Sequence, residues 1–147
     1  MIDYHLRPAT HDDHDFLYRL HEAAMGDLIA QVWGWDDAWQ ERFFDEHFDP
    51  SGSRIVVVDD ADVGVVAVEW RDDAAFIGNV EILPDYQGRG LGAAILRDVI
   101  AAAAARGLPV TLGVLKMNPA RRLYERLGFT ITGETETHCQ MRAALPE

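Results

Sequence analysis

A glycine-rich turn set between an apolar strand and an alanine-rich helix constrains this chain more than any other feature. Residues 84–92 read Pro-Asp-Tyr-Gln-Gly-Arg-Gly-Leu-Gly. Before them, residues 76–83 form an apolar run stopped by Pro84, whose missing N–H suits a strand end. After them, residues 91–106 are a long run rich in Ala, Leu and Ile closed by Gly107, and residues 109–115 read as a buried strand. Strand, helix and strand in that order imply a right-handed crossover between parallel neighbours. The chain must therefore build a sheet with at least one parallel pair.

The flanking segments add antiparallel strands and helices. Thr10 with Asp13 three residues on resembles a capping box, and Phe16, Leu17, Leu20, Ala23 and Ala24 recur at helical spacing, predicting a first helix over about residues 11–25. A second is expected to start at Asp36 or Asp37, with Trp39, Phe43 and Phe44 along one side. Residues 55–58 and 63–68 are β-branched runs joined by the polar tetrapeptide 59–62, a hairpin that continues antiparallel into residues 76–83. Asn118 as N-cap, Pro119 at the first helical position and Gly128 past the end delimit a short helix, and strands at 129–134 and 138–142 close the chain. The expected architecture is a mixed α/β domain occupying residues 1–147 without a linker or repeat.

Charge narrows the partners. The formal net charge of −12 disfavours general nucleic-acid binding, because phosphate backbones would repel the chain. It is unevenly placed: residues 1–85 hold 20 acids against five bases, whereas residues 86–126 hold seven bases, Arg89 among them, against Asp98 and Glu125. The basic stretch suits an anionic ligand. Cys139 is the single cysteine, so neither an intramolecular disulfide nor a zinc-type cysteine cluster is available, and a reducing cytoplasm is the simplest setting. The first residues lack the pattern of a signal peptide, and the apolar stretch 91–105 is interrupted by Arg97 and Asp98 and falls short of the roughly 20 residues a bilayer requires. Neither membrane nor nucleic acid is an expected partner, while a homodimer is left open.

In the turn, glycines allow positive φ and let backbone N–H groups approach a diphosphate, the helix N-terminus adds positive potential, and Arg89 adds a full charge. Gly88, Gly90 and Ala93 satisfy a loose dinucleotide fingerprint. That fold, however, needs a parallel strand before the turn and an acidic residue near the end of the next strand, where this chain has apolar residues 109–115. No Gly-Lys-Ser/Thr ending marks a phosphate-binding loop of the nucleotide-hydrolase type.

Gln87, Gly88, Arg89, Gly90, Leu91 and Gly92 fit the Q/R-x-x-G-x-G/A loop of the GNAT superfamily of N-acetyltransferases. The segment from Asn118 through Tyr124 to Leu127-Gly128-Phe129 resembles the signature after that family's fifth strand, and the order of elements is also the family's. The resemblance covers nearly the whole chain. It implies a GNAT fold: a central, mostly antiparallel sheet of about six to seven strands, a parallel and splayed pair of fourth and fifth strands (here residues 76–83 and 109–115), and about four helices. It also implies acetyl-CoA as cosubstrate, its diphosphate on the amides of residues 87–92, its pantetheine arm running along the Ile82 and Leu83 backbone like an added strand and meeting Asn118. The acetyl thioester would lie between Val80 and Val114, with the Val80 N–H polarising the carbonyl.

Acetyl transfer to an amine sets two proton tasks. Tyr124, with an ordinary phenol pKa near ~10, can donate toward the departing thiolate; the competing reading is that its ring only packs on the sheet. For the amine's proton, Glu81 and Glu69 are the carboxylates within predicted core strands, where an unpaired charge is costly; a strand-edge ion pair is the rival reading of each. Alternation sets Glu81 on the face opposite Val80. Some relatives carry a glutamate on the fifth strand, where this chain has Gly113. On the acceptor side, Trp33, Trp35 and Trp39 cluster where the first two helices join, and His138 on the last strand is a further lining residue; each also reads as ordinary core or structural. His11, His14 and Asp15 have metal-like spacing but no third convergent ligand, so no metal is expected, and Cys139 reads as a buried thiol.

The resulting expectation is an N-acetyltransferase that moves the acetyl group of acetyl-CoA directly to a primary amine of a small molecule or protein. A non-catalytic acyl-CoA sensor on the same fold and an unrelated phosphate-ligand binder are the alternatives. The acidic first half favours a cationic acceptor, drawn to carboxylates while the basic segment draws the anionic cofactor.

Overall fold

The computed structural model describes residues 3–145. Eleven principal elements follow in order: β1 (His5–Pro8), α1 (His14–Val32), α2 (Asp37–His47), β2 (Ser53–Val58), β3 (Ala61–Trp70), β4 (Ala75–Ile82), α3 (Leu91–Ala105), β5 (Val110–Leu115), α4 (Ala120–Arg126), β6 (Phe129–Glu134) and β7 (His138–Ala143). The strands order as β1-β2-β3-β4-β5-β7-β6 in a seven-stranded sheet, with β4 and β5 parallel. This is the mixed sheet and the helix count expected from the sequence. The chain divides into two compact units, residues 1–67 with 79–89, and residues 68–78 with 90–147, so β3 and β4 each contribute to both.

In the first unit, β1 pairs antiparallel with β2, and β2 with β3. β1 had no counterpart among the expected strands, since four residues containing Arg7 and Pro8 carry too little alternation to stand out. The β2–β3 connection is tighter than the tetrapeptide expected: Asp59 and Asp60 take φ of 50° and 64°, a two-residue turn with both central residues left-handed, which aspartate tolerates. A bulge at Val56/Val57 absorbs the residue count. α1 runs seven residues beyond the expected end at residue 25. Gly26 does not stop it, because its neighbours are good helix formers and one glycine costs only about 1 kcal/mol. Leu17 and Leu20 of α1 pack on Ile55, Val57 and Val65 as one core cluster. Asp36 caps α2 as expected, its Oδ1 accepting from the Trp39 N–H at 2.9 Å. Asp13 is buried, with Arg7 Nη2 at 2.8 Å and the Thr10 N–H at 2.8 Å, so it locks the entry to α1, and the guanidinium holds its carboxyl below the usual range.

Gly64 fixes how β3 meets β4. A Cβ built there would lie 2.6 Å from the Glu81 carbonyl oxygen, a backbone atom that cannot swing away. Gly64→Ala is therefore expected to destabilise the protein by about 1–3 kcal/mol, seen as a lower melting temperature in thermal unfolding. An unchanged midpoint would mean that the two strands separate freely at that point.

In the second unit, β4 pairs with β5 from Ala75↔Val110 to Ile77↔Leu112, three positions of an eight-residue strand. β7 then pairs antiparallel with both β5 and β6. α3 buries Leu91, Ile95, Leu96 and Ala103 and ends before Gly107 at φ 72°. α4 is bounded as expected to within one residue: Asn118 Oδ1 accepts from the Ala120 N–H at 2.9 Å, and Gly128 at φ 98° follows the end. Among the described residues, no helix is long and apolar enough to cross a membrane.

Candidate active site

The glycine turn adopts the backbone its sequence demands. Gly88 and Gly90 have φ of 75° and 84°, in the left-handed region, and a Cβ at either would meet nothing within 4 Å. Both face open space. Gln87 Nε2 donates to the Ile82 carbonyl at 2.8 Å, tying the turn back to the end of β4. The Arg89 guanidinium lies over the Tyr86 ring at 5.2 Å. No side chain caps α3 at Gly90, so the N–H groups of its first turn keep their donor capacity for a ligand. Uncapped amides, a dipole end and room for close approach fit a diphosphate group.

The last residues of β4 carry the next constraint. The Leu83 N–H donates to the Val63 carbonyl at 2.8 Å, and the Glu81 carbonyl is the atom that lies against Gly64. Residues 81 and 83 thus turn their main chain toward β3, and alternation turns that of Val80 and Ile82 toward the opposite edge. The Leu83 amide is thus engaged within the sheet.

Glu81 is buried, and its carboxylate is partnered: His21 Nδ1 lies 2.7 Å from Oε2, and Asn79 Nδ2 donates to Oε1 at 3.3 Å. His21 comes from α1, and the bond to Glu81 holds its imidazolium form to higher pH than usual. Sequence reasoning missed His21, although it sits four residues after Leu17 and so shares its inward face. The Trp35 ring is centred 6.2 Å from that of His21.

In the second unit, Tyr124 is half-buried on α4, its ring 5.8 Å from that of Phe129, and burial pushes its phenol above 10. It stays protonated at any physiological pH. Asn118 uses Oδ1 as a cap, which leaves its amide N–H groups as donors. Cys139 is a buried thiol as expected, with Arg121 Nη1 at 3.8 Å from its sulfur.

Residues 14–129 match the model of the acetyltransferase (GNAT) family. The chain belongs to the GNAT family. It is 30% identical to an L-methionine sulfoximine/L-methionine sulfone acetyltransferase of Pseudomonas paraeruginosa, over 88% of this chain and 81% of that one. It is 41% identical to a [ribosomal protein bS18]-alanine N-acetyltransferase of Haemophilus influenzae over a shorter stretch, 46% of this chain and 47% of that one. The solved structure of PaiA N-acetyltransferase from Thermoplasma acidophilum, a complex with coenzyme A, superposes with a TM-score of 0.80 at 13% identity, covering 97% of this chain and 99% of that one. The protein is accordingly an acetyl-CoA-dependent acetyltransferase.

The residues expected on the acceptor side of this GNAT protein fall in different surroundings. Trp33 is exposed at the end of α1 and lines a cavity of about 630 Å3 with Trp39 and Phe43. Trp35 donates its indole N–H to Asp37 at 2.7 Å. Glu69, expected in a core strand, is exposed near the end of β3 and paired with Arg71 at 3.0 Å, which holds its carboxyl below the usual range. The strand-edge ion pair is thus the arrangement found for Glu69, because β3 outruns the core by two residues. His138 opens β7, half-buried, with Nδ1 2.8 Å from the Thr137 hydroxyl. His14 bridges Asp15 and Asp45, and among the described residues no group of three or more His, Cys, Asp or Glu is placed to hold a metal.

Proposed function

We propose that this GNAT protein acetylates a primary amine of a small molecule by direct attack on acetyl-CoA. The observation that carries the reading is the turn at Gly88 and Gly90, left-handed at both glycines and open above them, leading into an uncapped helix. In this reading the amides of residues 87–92, with Arg89, hold the diphosphate, and Asn118 donates to the pantetheine arm. The main chain of Ile82 receives that arm, and the Val80 N–H polarises the thioester carbonyl. The amine nitrogen bonds to the carbonyl carbon as the carbon–sulfur bond breaks. Glu81 provides the negative charge that draws the amine's proton, and Tyr124 donates toward the sulfur and is reprotonated from water. The small-molecule acceptor is favoured by the Pseudomonas relative, which matches over most of both chains. A reducing cytoplasmic setting suits the single buried thiol.

The test is ligand-linked stability. CoA or acetyl-CoA at about 100 times its dissociation constant should add about 2.7 kcal/mol, on the order of 5–10 °C in melting temperature for a domain of this size. A melting curve unmoved by saturating CoA would overturn the assignment of the turn.

A further inference from the structure

Trp39 and Phe43 stack on the exposed side of α2 with ring centroids 5.0 Å apart and an interplanar angle of 14°. With Ile29 of α1 and Trp33 just past its end they wall the cavity of about 630 Å3, a volume typical of small-ligand sites. Trp33, Trp39 and Phe43 are 59%, 49% and 46% exposed, so three large aromatic side chains border one opening. Such a concentration of apolar surface marks a binding site. The ionisable groups among its lining residues are His21 and Asp36, and among the described residues neither lysine nor arginine lines it. Aromatic faces beside a carboxylate attract a cation and, once the His21 ring is neutral, offer nothing to an anion.

Resting on the acetyltransferase reading, we propose that this cavity takes a primary amine with an aromatic or apolar body and no carboxylate, and that His21, held by Glu81, takes the proton the amine gives up. Glu81 can only accept at 2.7 Å, so His21 Nδ1 is the donor and, in the neutral ring, Nε2 keeps its lone pair. Both Glu81 oxygens are already engaged, by His21 and Asn79, and the residue is buried; it is the imidazole that reaches the cavity. His21 is then the catalytic residue and Glu81 the positioning residue. The amine's proton moves to Nε2 as the new nitrogen–carbon bond forms and the carbon–sulfur bond breaks, the imidazolium is balanced by Glu81, and its proton returns to water after release. Glu81 of β4 is hydrogen-bonded to His21 and Asp36 lines the same cavity, both acidic, and the bond to Glu81 carries the neutral, working imidazole to higher pH than in an ordinary histidine. At the pH where His21 is neutral, an amino acid would set its carboxylate beside Asp36 with no cation to receive it.

Matched pairs separate these claims: tryptamine against tryptophan, phenethylamine against phenylalanine, with L-methionine sulfoximine as a third probe. Amine-dependent CoA release, measured on the alkaline plateau where His21 is neutral, is expected to give kcat/KM at least about 100-fold higher for each decarboxylated amine. Phe43→Ala should raise KM for tryptamine about tenfold with kcat little changed. His21→Gln retains a donor to Glu81 and should lower kcat about 100-fold and remove the alkaline rise in rate, while the CoA-induced melting shift persists. Glu81→Gln should move the midpoint of that rise toward lower pH. Equal rates for amino acids and amines, or a wild-type rate and pH profile in His21→Gln, would overturn the proposal. Inactivity toward both amines with the CoA shift intact would also overturn it while sparing the cofactor reading; loss of the CoA shift in the wild type would instead overturn the reading beneath it.

Discussion

Gly90→Val is expected to abolish the stabilisation by CoA while the protein remains folded. The argument is conformational rather than steric: at φ 84° the position is left-handed, and a β-branched residue held there costs on the order of 1–3 kcal/mol. Nothing lies within 4 Å of a Cβ at this site, so no packed neighbour is displaced and the fold loses at most that strain. The substituted chain relieves the strain by rotating away from the left-handed region, which re-aims the first-turn amides of α3. A side chain there also fills the space a diphosphate would use. Differential scanning fluorimetry with and without CoA reads both effects at once, and affinity should fall by at least about 100-fold, since every 1.4 kcal/mol of lost contact is a factor of ten. Full retention of the CoA shift in a folded Gly90→Val protein would show that the ligand is held elsewhere.

Tyr124→Phe should reduce kcat by about 10- to 1000-fold with the KM for acetyl-CoA nearly unchanged. The variant keeps the ring that packs on Phe129 and removes only the hydroxyl. Because burial raises the phenol above 10, the hydroxyl remains a donor throughout the neutral range, and Tyr124 should contribute no loss of rate below about pH 10. Steady-state kinetics with a good amine acceptor check this directly. Normal turnover in the Phe variant would make Tyr124 a packing residue and leave the thiolate to be protonated by water.

Much of this arrangement was legible because it rests on local chemistry. Pro84, Gly88 and Gly90 state a strand end and two left-handed residues without reference to the rest of the chain, and Asn118 and Gly128 delimit α4 in the same way. Asp36 announced the start of α2 for the same reason. What stayed hidden depends on contacts distant in sequence. Glu81 stood out as a carboxylate in an apolar strand, but its partner His21 lies 60 residues away on a different element. Glu69 looked equally enclosed, yet β3 carries it past the core into water beside Arg71. The role of Gly64 was likewise invisible, because only the β4 backbone running against it rules out a side chain. β1 escaped notice since four residues with little alternation become a strand only by pairing with β2.

The central claim, catalysis of acetyl transfer to an amine, is tested most directly by following CoA release from acetyl-CoA with tryptamine and phenethylamine and identifying the products by mass spectrometry. The expected result is amine-dependent release, saturable in both substrates, with one N-acetylated amine formed per CoA freed. Folded protein that binds CoA but frees it no faster with amine than without, across these and a broader panel of primary amines, would contradict the account and leave a binding protein on the same fold.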